Sequence, residues 1–576
     1  MTRRYLIAST ALAAALWQTG IAQGAAPENY DLIIRNGMVY DGSGGAPYAG
    51  DVGIKGDRIV YAGPATTATA AKTVDAKGLA VAPGFINMLS WATESLLVDG
   101  LGQSDLRQGV TLEVMGEGWS MGPLNPEMKK LAVAQQGDFK YPIEWTTLGE
   151  YLSLLERRGT TMNVASFVGA TTVRQHELGE RDVDPTPQQL ARMRVLVRQA
   201  MEEGALGVGS SLIYPPATFA ETDELVALTT EAARCGGSYI SHMRSEGDRL
   251  LESIDELIEI SRRSGAPAEI YHLKQVGRAN WDKIDAAIAK IEAARASGLK
   301  ISADMYSYTA GGTGLAASMP PWVQDGGNEA MLKRLKDPAI VERIKKEMLQ
   351  PGSNWENLYL HAGPDGVLIA SMTEPSLKPL MGKTVAEIAK MRGVSPEQAV
   401  IDLVLADKGR SGAIYFLMNE ENVRRQAALP WVSFGSDAEA SAPEGVFLKS
   451  STHPRAYGNF ARFLGKYVRD EKVAPLADAV RRLSALPAQN LGLNGRGMLK
   501  PGMAADVVLF DPATIADHST FAKPMQFATG VRDVFVNGVQ VLKDGNPTGA
   551  KPGRFVKGAG WTGWPGGGAC RREAKP

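Results

Sequence analysis

Apolar positions along this chain follow two rhythms. Over residues 30–81, and again over roughly 503–545, short runs such as DLIIRNGMVYDGSG, MAADVVLFDP and VRDVFVNGVQVLKDG alternate between apolar and polar positions. That is the pattern of half-buried β-strands. Asn36-Gly37 and Lys55-Gly56-Asp57 read as hairpin signals in the first set, and Asn537-Gly538 and Asp544-Gly545 punctuate the second. Strand clusters at opposite ends of a chain commonly combine. Residues 29–82 plus 499–548 are therefore expected to build one small β domain.

Between these clusters the rhythm changes. PQQLARMRVLVRQAMEEG, TDELVALTTEAARCGG, LLESIDELIEISRRSG and WDKIDAAIAKIEAARASG repeat apolar residues at three- and four-residue steps and end at Gly, as amphipathic helices do. The intervening runs NVASFVGA, ALGVGSS, GSYISH, AEIYHL and ISADMY are too apolar for a sheet with one wet face. They predict parallel strands covered on both sides by helices. No Gly-rich dinucleotide fingerprint follows the first strand. The expected fold is thus α/β: a (β/α)8 TIM-like barrel over residues 83–498, beside the small β domain. Residues 311–430 are long for one β/α connection and predict a lid within them, while 549–576 read as an irregular tail.

Polar residues stand where the apolar runs end. Glu117 follows LEVM, His242 closes SYISH, His272 follows EIY, and Asp437 closes WVSFGSD. In a parallel barrel all strand C-termini share one face, so these residues can meet around a metal. Each has a plainer alternative: hydrogen-bonded barrel histidines, a Glu117 accepting backbone N–H bonds in a turn, or an Asp437 capping a helix.

The chain has 576 residues and a net charge of −1, with no basic stripe, which argues against a nucleic-acid partner. Arg3-Arg4, an apolar run over residues 5–17 and small residues to position 26 have the layout of a secretory signal peptide. Residues 1–25 are expected to be removed, leaving an exported protein, periplasmic or secreted, without stable membrane insertion. Cys235 and Cys570 are the two cysteines. An exported chain can pair them, although Cys235 also reads as a buried helix-end residue. Nothing in the pattern specifies an oligomeric state.

Several longer stretches resemble a known family. YDLIIRNGMVYDGSGGAPYAGDVGIKGDRIVYAG followed by AVAPGFIN is similar to the opening of amidohydrolase-superfamily enzymes. ISHMRSEGDRLLESIDELI, IYHLKQVGRANWDKI, ADMYSYTAGGTGL, FGSDAEA, HPRAYGNFARFLGKYVR and KPGMAADVVLFDP resemble N-acyl-D-amino-acid deacylases, the D-aminoacylases. The likeness runs in collinear order from residue 31 to about 544.

The resemblance implies a metal-dependent hydrolase of the amide in N-acyl-D-amino acids, with zinc at the barrel mouth and a small molecule as partner. The family's tightly held zinc has a Cys after the second strand and one His after each of the fifth and sixth. Carried over, the histidines are His242 and His272, and Glu117 stands at the Cys position given a one-residue gap. A carboxylate is a competent zinc ligand, and manganese, cobalt or iron also accept this donor set. Asp437 takes the place of the family's general base. Lys274, Arg455 and Tyr306, with Tyr308 as the alternative tyrosine, are candidates to bind the substrate carboxylate.

One departure matters. The family's first strand ends in Gly-Phe-Ile-Asp-x-His-x-His, whose histidines serve a second metal position. Here Leu89 and Trp91 replace both. One ion is therefore expected rather than two, and that half of the cavity is expected to be apolar. The same loss keeps two rivals open: an amidohydrolase acting on a cyclic amide or a dipeptide, and a degenerate barrel that binds a ligand without turning it over.

Overall fold

The computed structural model describes residues 29–562 and residue 570. The expected signal segment, residues 1–25, lies outside the described residues.

Both ends of the chain contribute to one nine-stranded sheet. They meet where Ala80–Pro83 pairs antiparallel with Val507–Phe510, in the register Val507↔Pro83 and Phe510↔Ala80. Hairpins extend the sheet on either side. Asn537 and Gly538 both have positive φ, 49° and 80°, which suits the right-handed twist of the strands they join. Asn36-Gly37 does not make the hairpin expected of it. It lies inside the strand Asn29–Val39, where the register shifts between Ile34 and Gly37. A Cβ at Gly37 would sit 2.3 Å from Val81 Cγ2, so the glycine is required by close packing rather than by a turn.

Eight parallel strands form the barrel: β1 Phe85–Asn87, β2 Val110–Met115, β3 Asn163–Ser166, β4 Gly207–Ser211, β5 Ser238–His242, β6 Ala268–Ile270, β7 Ile301–Met305 and β8 Val432–Phe434. A short extension of β3, Val168–Gly169, carries the pairing on to β4. Closure runs through β8 and β1, where the Met88 N–H donates to Phe434 O at 3.1 Å and the Asp437 N–H to Leu89 O at 2.8 Å. The interior is filled by Ile86, Met88, Leu89, Val114, Phe167, Ile240 and Tyr271. Each large side chain removed from water there contributes about 1.5–3 kcal/mol. Leu89 is fully buried in this packing and does not line the cavity above it.

The long segment after β7 folds as a lobe with its own core, which includes Leu315, Ile344, Met348, Val400 and Tyr415. Its three-stranded sheet places Val367–Ser371 and Ala310–Gly314 on either side of Gly412–Phe416, over the C-terminal face of the barrel.

Residues 550–562 have little regular secondary structure, yet they are not loose. The Val164 N–H donates to Arg554 O, the Val556 N–H to Val164 O and the Gly558 N–H to Gly204 O, and Val556 packs with the barrel interior. The segment runs across the N-terminal end of the barrel. Cys570 forms a disulfide with Cys235, the residue that caps the helix Thr222–Arg234. No helix among the described residues is long and apolar enough to cross a membrane.

Candidate active site

Glu117 projects from a turn after β2 that only glycines permit. Gly116 has φ +107°, and its Cβ would lie 2.4 Å from Phe167 O. Gly118 has φ +70°, and its Cβ would lie 2.5 Å from Ser211 Cβ. The carboxylate therefore has a set direction, toward the barrel axis. Its Oε1 lies 3.0 Å from His242 Nδ1 and 3.0 Å from His272 Nε2. It accepts side-chain hydrogen bonds and not the backbone N–H bonds of the plainer alternative.

His272 has φ +36° and Asp437 has φ +50°, a region that L-residues rarely occupy outside functional turns. Each is held there. The His272 N–H donates to Asp304 Oδ1 at 2.9 Å, and the Asp437 N–H is the one that closes β8 onto β1.

Donor atoms of Glu117, His242 and His272 all lie within 4.8 Å of one another, and all three residues are buried. One oxygen and two imidazole nitrogens, with space beside them, match the donor set of a catalytic zinc site with three protein ligands. The residues present fit a metal ion.

Glu246, in HMRSEGD, reads from the sequence as a supporting ion-pair or hydrogen-bonding residue, and it stands behind both histidines. Its Oε1 is 3.0 Å from His272 Nδ1 and its Oε2 is 3.5 Å from His242 Nε2. A carboxylate behind a ligating imidazole fixes the ring and its tautomer. Its position four residues after His242, in HMRSEGD, was the available signal. Arg244 is engaged elsewhere, with Glu256. Although burial opposes it, Lys274 and the two histidines hold Glu246 well below the usual carboxylate range. Glu117 is likewise held low by His242 and His272 against the cost of burial.

Lys274 is buried, with its Nζ 2.7 Å from Glu246 Oε1 and 2.6 Å from His272 Nδ1. Arg455 pairs with Asp437, Nη1 to Oδ2 at 2.8 Å, and its guanidinium lies 4.5 Å over the Tyr306 ring. The Tyr306 hydroxyl is buried and has no protein partner, whereas Tyr308 donates to Asp517. This distinguishes the two tyrosines in favour of Tyr306. His453 orients Arg455: its Nδ1 accepts the Arg455 backbone N–H at 3.0 Å and its Nε2 faces Ala310 O at 2.9 Å. Burial and the Arg455 charge push the His453 pKa well down, so it serves as a neutral support. Burial also raises the Asp437 carboxyl above its ordinary value, against the pull of Arg455.

Glu117, His242, His272, Lys274 and Tyr306 stand at or just beyond the C-terminal ends of β2, β5, β6 and β7, Asp437 and Arg455 come after β8, and all seven border one cavity of about 910 Å³. Trp119, Ile213 and Phe447 form apolar parts of its wall, and Thr313, Ser371 and Ala413 of the inserted lobe close over it. The Trp91 side of the cavity is not the apolar half expected from the sequence. The indole N–H faces Glu117 and Asp437, and Glu94 and Glu439 line the same wall.

D-aminoacylase from Alcaligenes xylosoxydans xylosoxydans is 33% identical over 535 residues, which are 92% of this chain and 97% of that protein. This chain belongs to the D-aminoacylase family of amidohydrolases. A family model described as the amidohydrolase family matches residues 370–542. Among solved structures, N-acyl-D-glutamate deacylase from Bordetella bronchiseptica, complexed with zinc and a phosphonate mimic of the tetrahedral intermediate, superposes with a TM-score of 0.75. It is 29% identical, over 92% of this chain and 100% of that one. A D-aminoacylase structure concerned with its binuclear metal centre, one-metal activation and second-metal attenuation gives a TM-score of 0.74 at 32% identity, over 92% and 100% of the two chains.

Proposed function

We propose that this protein is a one-zinc deacylase that hydrolyses N-acyl-D-amino acids to a carboxylate and the free D-amino acid. The observation that carries the reading is the convergence of Glu117, His242 and His272 within 4.8 Å, on the cavity that also holds Asp437. Zinc held by these three residues would lower the pKa of a water and polarise the acyl carbonyl. Asp437 takes a proton from the attacking water and delivers it to the amide nitrogen as the C–N bond breaks. Burial raises this carboxyl above its ordinary value, which strengthens it as a proton acceptor. Arg455, a fork able to bind both oxygens of a carboxylate, and the free Tyr306 hydroxyl receive the substrate carboxylate. Lys274 adds positive charge at the same wall while holding Glu246. The inserted lobe excludes bulk water from the reacting atoms. The D preference is supported by what the relatives are named for.

A second substrate class is favoured by one observation. Glu94 and Glu439 line the cavity beside Trp91, and burial with the nearby Glu94 charge pushes Glu439 up to about 7. An acyl group bearing an ammonium, as in a dipeptide with a D-residue at its C-terminus, would neutralise that wall.

The same proposal assigns the protein to an exported compartment. The signal layout of residues 1–25 supports this, as does the Cys235–Cys570 bond, of a kind that persists in oxidising surroundings.

The test is a panel of N-acetyl-D-, N-acetyl-L- and aminoacyl-D-amino acids offered to zinc-loaded protein. Turnover confined to D-configured acyl amino acids is the expected result. Protein that holds stoichiometric zinc and cleaves no member of the panel would sink the deacylase reading. Cleavage of the aminoacyl substrates alone would transfer the assignment to dipeptides.

A further inference from the structure

Trp91 enters the site through its one polar atom. The indole N–H donates to Glu117 Oε2 at 2.9 Å and to Asp437 Oδ1 at 3.2 Å. Indole has a single donor and no acceptor, so one proton is shared between two carboxylates of like charge. That charge is felt, since Glu117 is among the groups that raise Asp437. The indole is also anchored from behind, because the Trp91 backbone N–H donates to Ala438 O at 2.9 Å.

The arrangement divides the oxygens of each carboxylate. With Oε2 occupied by Trp91, Glu117 presents Oε1 alone to His242 and His272. With Oδ1 occupied, Asp437 presents Oδ2 alone to Arg455. Buried carboxylate charge is ordinarily paired with a cation or held by a metal. Here a neutral N–H stands between the two carboxylates, and its ring borders the cavity. Leu89, two residues earlier, supplies no donor and is packed into the barrel interior.

We propose that Trp91 is a positioning residue that bridges Glu117 and Asp437 in place of a second cation, so that the centre holds one ion with Glu117 as a single-oxygen ligand. The inference rests on the metal reading above. Removing the N–H would free Glu117 to rotate or to bind through both oxygens. Replacing the indole with a smaller ligating ring would open the bridge to a second ion.

The experiment measures metal per chain in the full-length mature protein after equilibration with excess zinc and removal of unbound ion. Visible absorption of the cobalt(II) form is recorded in parallel. The native protein is expected to hold about one ion. Trp91→His is expected to hold two. Trp91→Phe, which keeps the bulk and loses the donor, is expected to hold one and to shift the cobalt bands, because Glu117 changes its coordination. Two ions in the native protein overturn the inference and the one-ion count but leave Glu117, His242 and His272 as ligands, whereas no ion overturns the metal reading as well. A folded Trp91→His variant that takes one ion overturns the exclusion of the second cation. A Trp91→Phe cobalt spectrum that superimposes on the native one overturns the positioning role. Should Trp91→His fail to fold, the native stoichiometry and the Trp91→Phe spectrum still decide.

Discussion

Arg455 and Asp437 form an ion pair of 2.8 Å at the cavity wall, with the guanidinium lying over the Tyr306 ring. One side chain thus touches both the candidate base and the space assigned to the substrate carboxylate. The pair also keeps Asp437 from rising as far as burial alone would take it.

Arg455→Met should therefore lower kcat/KM most for substrates with a free carboxylate. A charge-assisted hydrogen bond is worth about 1.5–3 kcal/mol, which corresponds to a loss of roughly ten- to a hundred-fold. The matching N-acyl amino amide, which carries no carboxylate, should lose less. Equal losses on both substrates would place Arg455 with the base alone.

Asp437→Asn should abolish proton transfer and leave the metal in place, because Asp437 is not among the three converging donors. The expected fall in kcat is about 100- to 10,000-fold. Elemental analysis of the same sample should show an unchanged ion content. Loss of the ion would instead make Asp437 a ligand.

Glu246 touches both histidines and Lys274 without facing the metal position itself. Glu246→Gln should weaken zinc binding by about 10- to 100-fold, the usual cost of losing a group that orients ligating imidazoles. Competition with a chelator of known affinity measures this directly. An unchanged affinity would reduce Glu246 to a counter-ion for Lys274.

Glu356 lies in the inserted lobe and reaches back to the loop after β5, where its Oε2 accepts the Ser245 hydroxyl at 2.6 Å. Burial raises its pKa to about 7, above the unfolded value. The folded state therefore holds this proton more tightly than the unfolded one. The associated stability is fully present below about pH 4.5 and is lost as pH rises through about 7, an effect of about 3 kcal/mol. Glu356→Gln should flatten that decline in a series of thermal melts from pH 5 to 8. A variant that declines as steeply as the native protein would remove Glu356 from the account.

Much of this site was legible because barrel geometry converts a sequence position into a direction. A polar residue after an apolar strand faces the mouth, which is why Glu117, His242, His272 and Asp437 stand out in the sequence. What escaped depends on contacts that no spacing encodes. Glu246 reaches the histidines only because the HMRSEGD loop curls back under them. Trp91 read as an apolar replacement because one N–H on a large ring does not alter a hydrophobic pattern, yet that N–H meets two carboxylates. Asn36-Gly37 carried a turn signal, but Val81 across the sheet demanded a residue without Cβ, and the strand bulged instead. The last residues have no periodicity to read. Residues 551–562 take their course from backbone hydrogen bonds to the underside of the barrel, and Cys570 is held by Cys235.

The bond from Cys235 to Cys570 spans 335 positions, and the chain between them carries His242, His272, Asp437 and the whole inserted lobe. Suppose a protease cut that lobe at an exposed turn such as Pro351-Gly352. The two fragments would stay covalently tethered through sulfur and part only under a reductant. For this enzyme, a broken backbone need not mean a divided molecule.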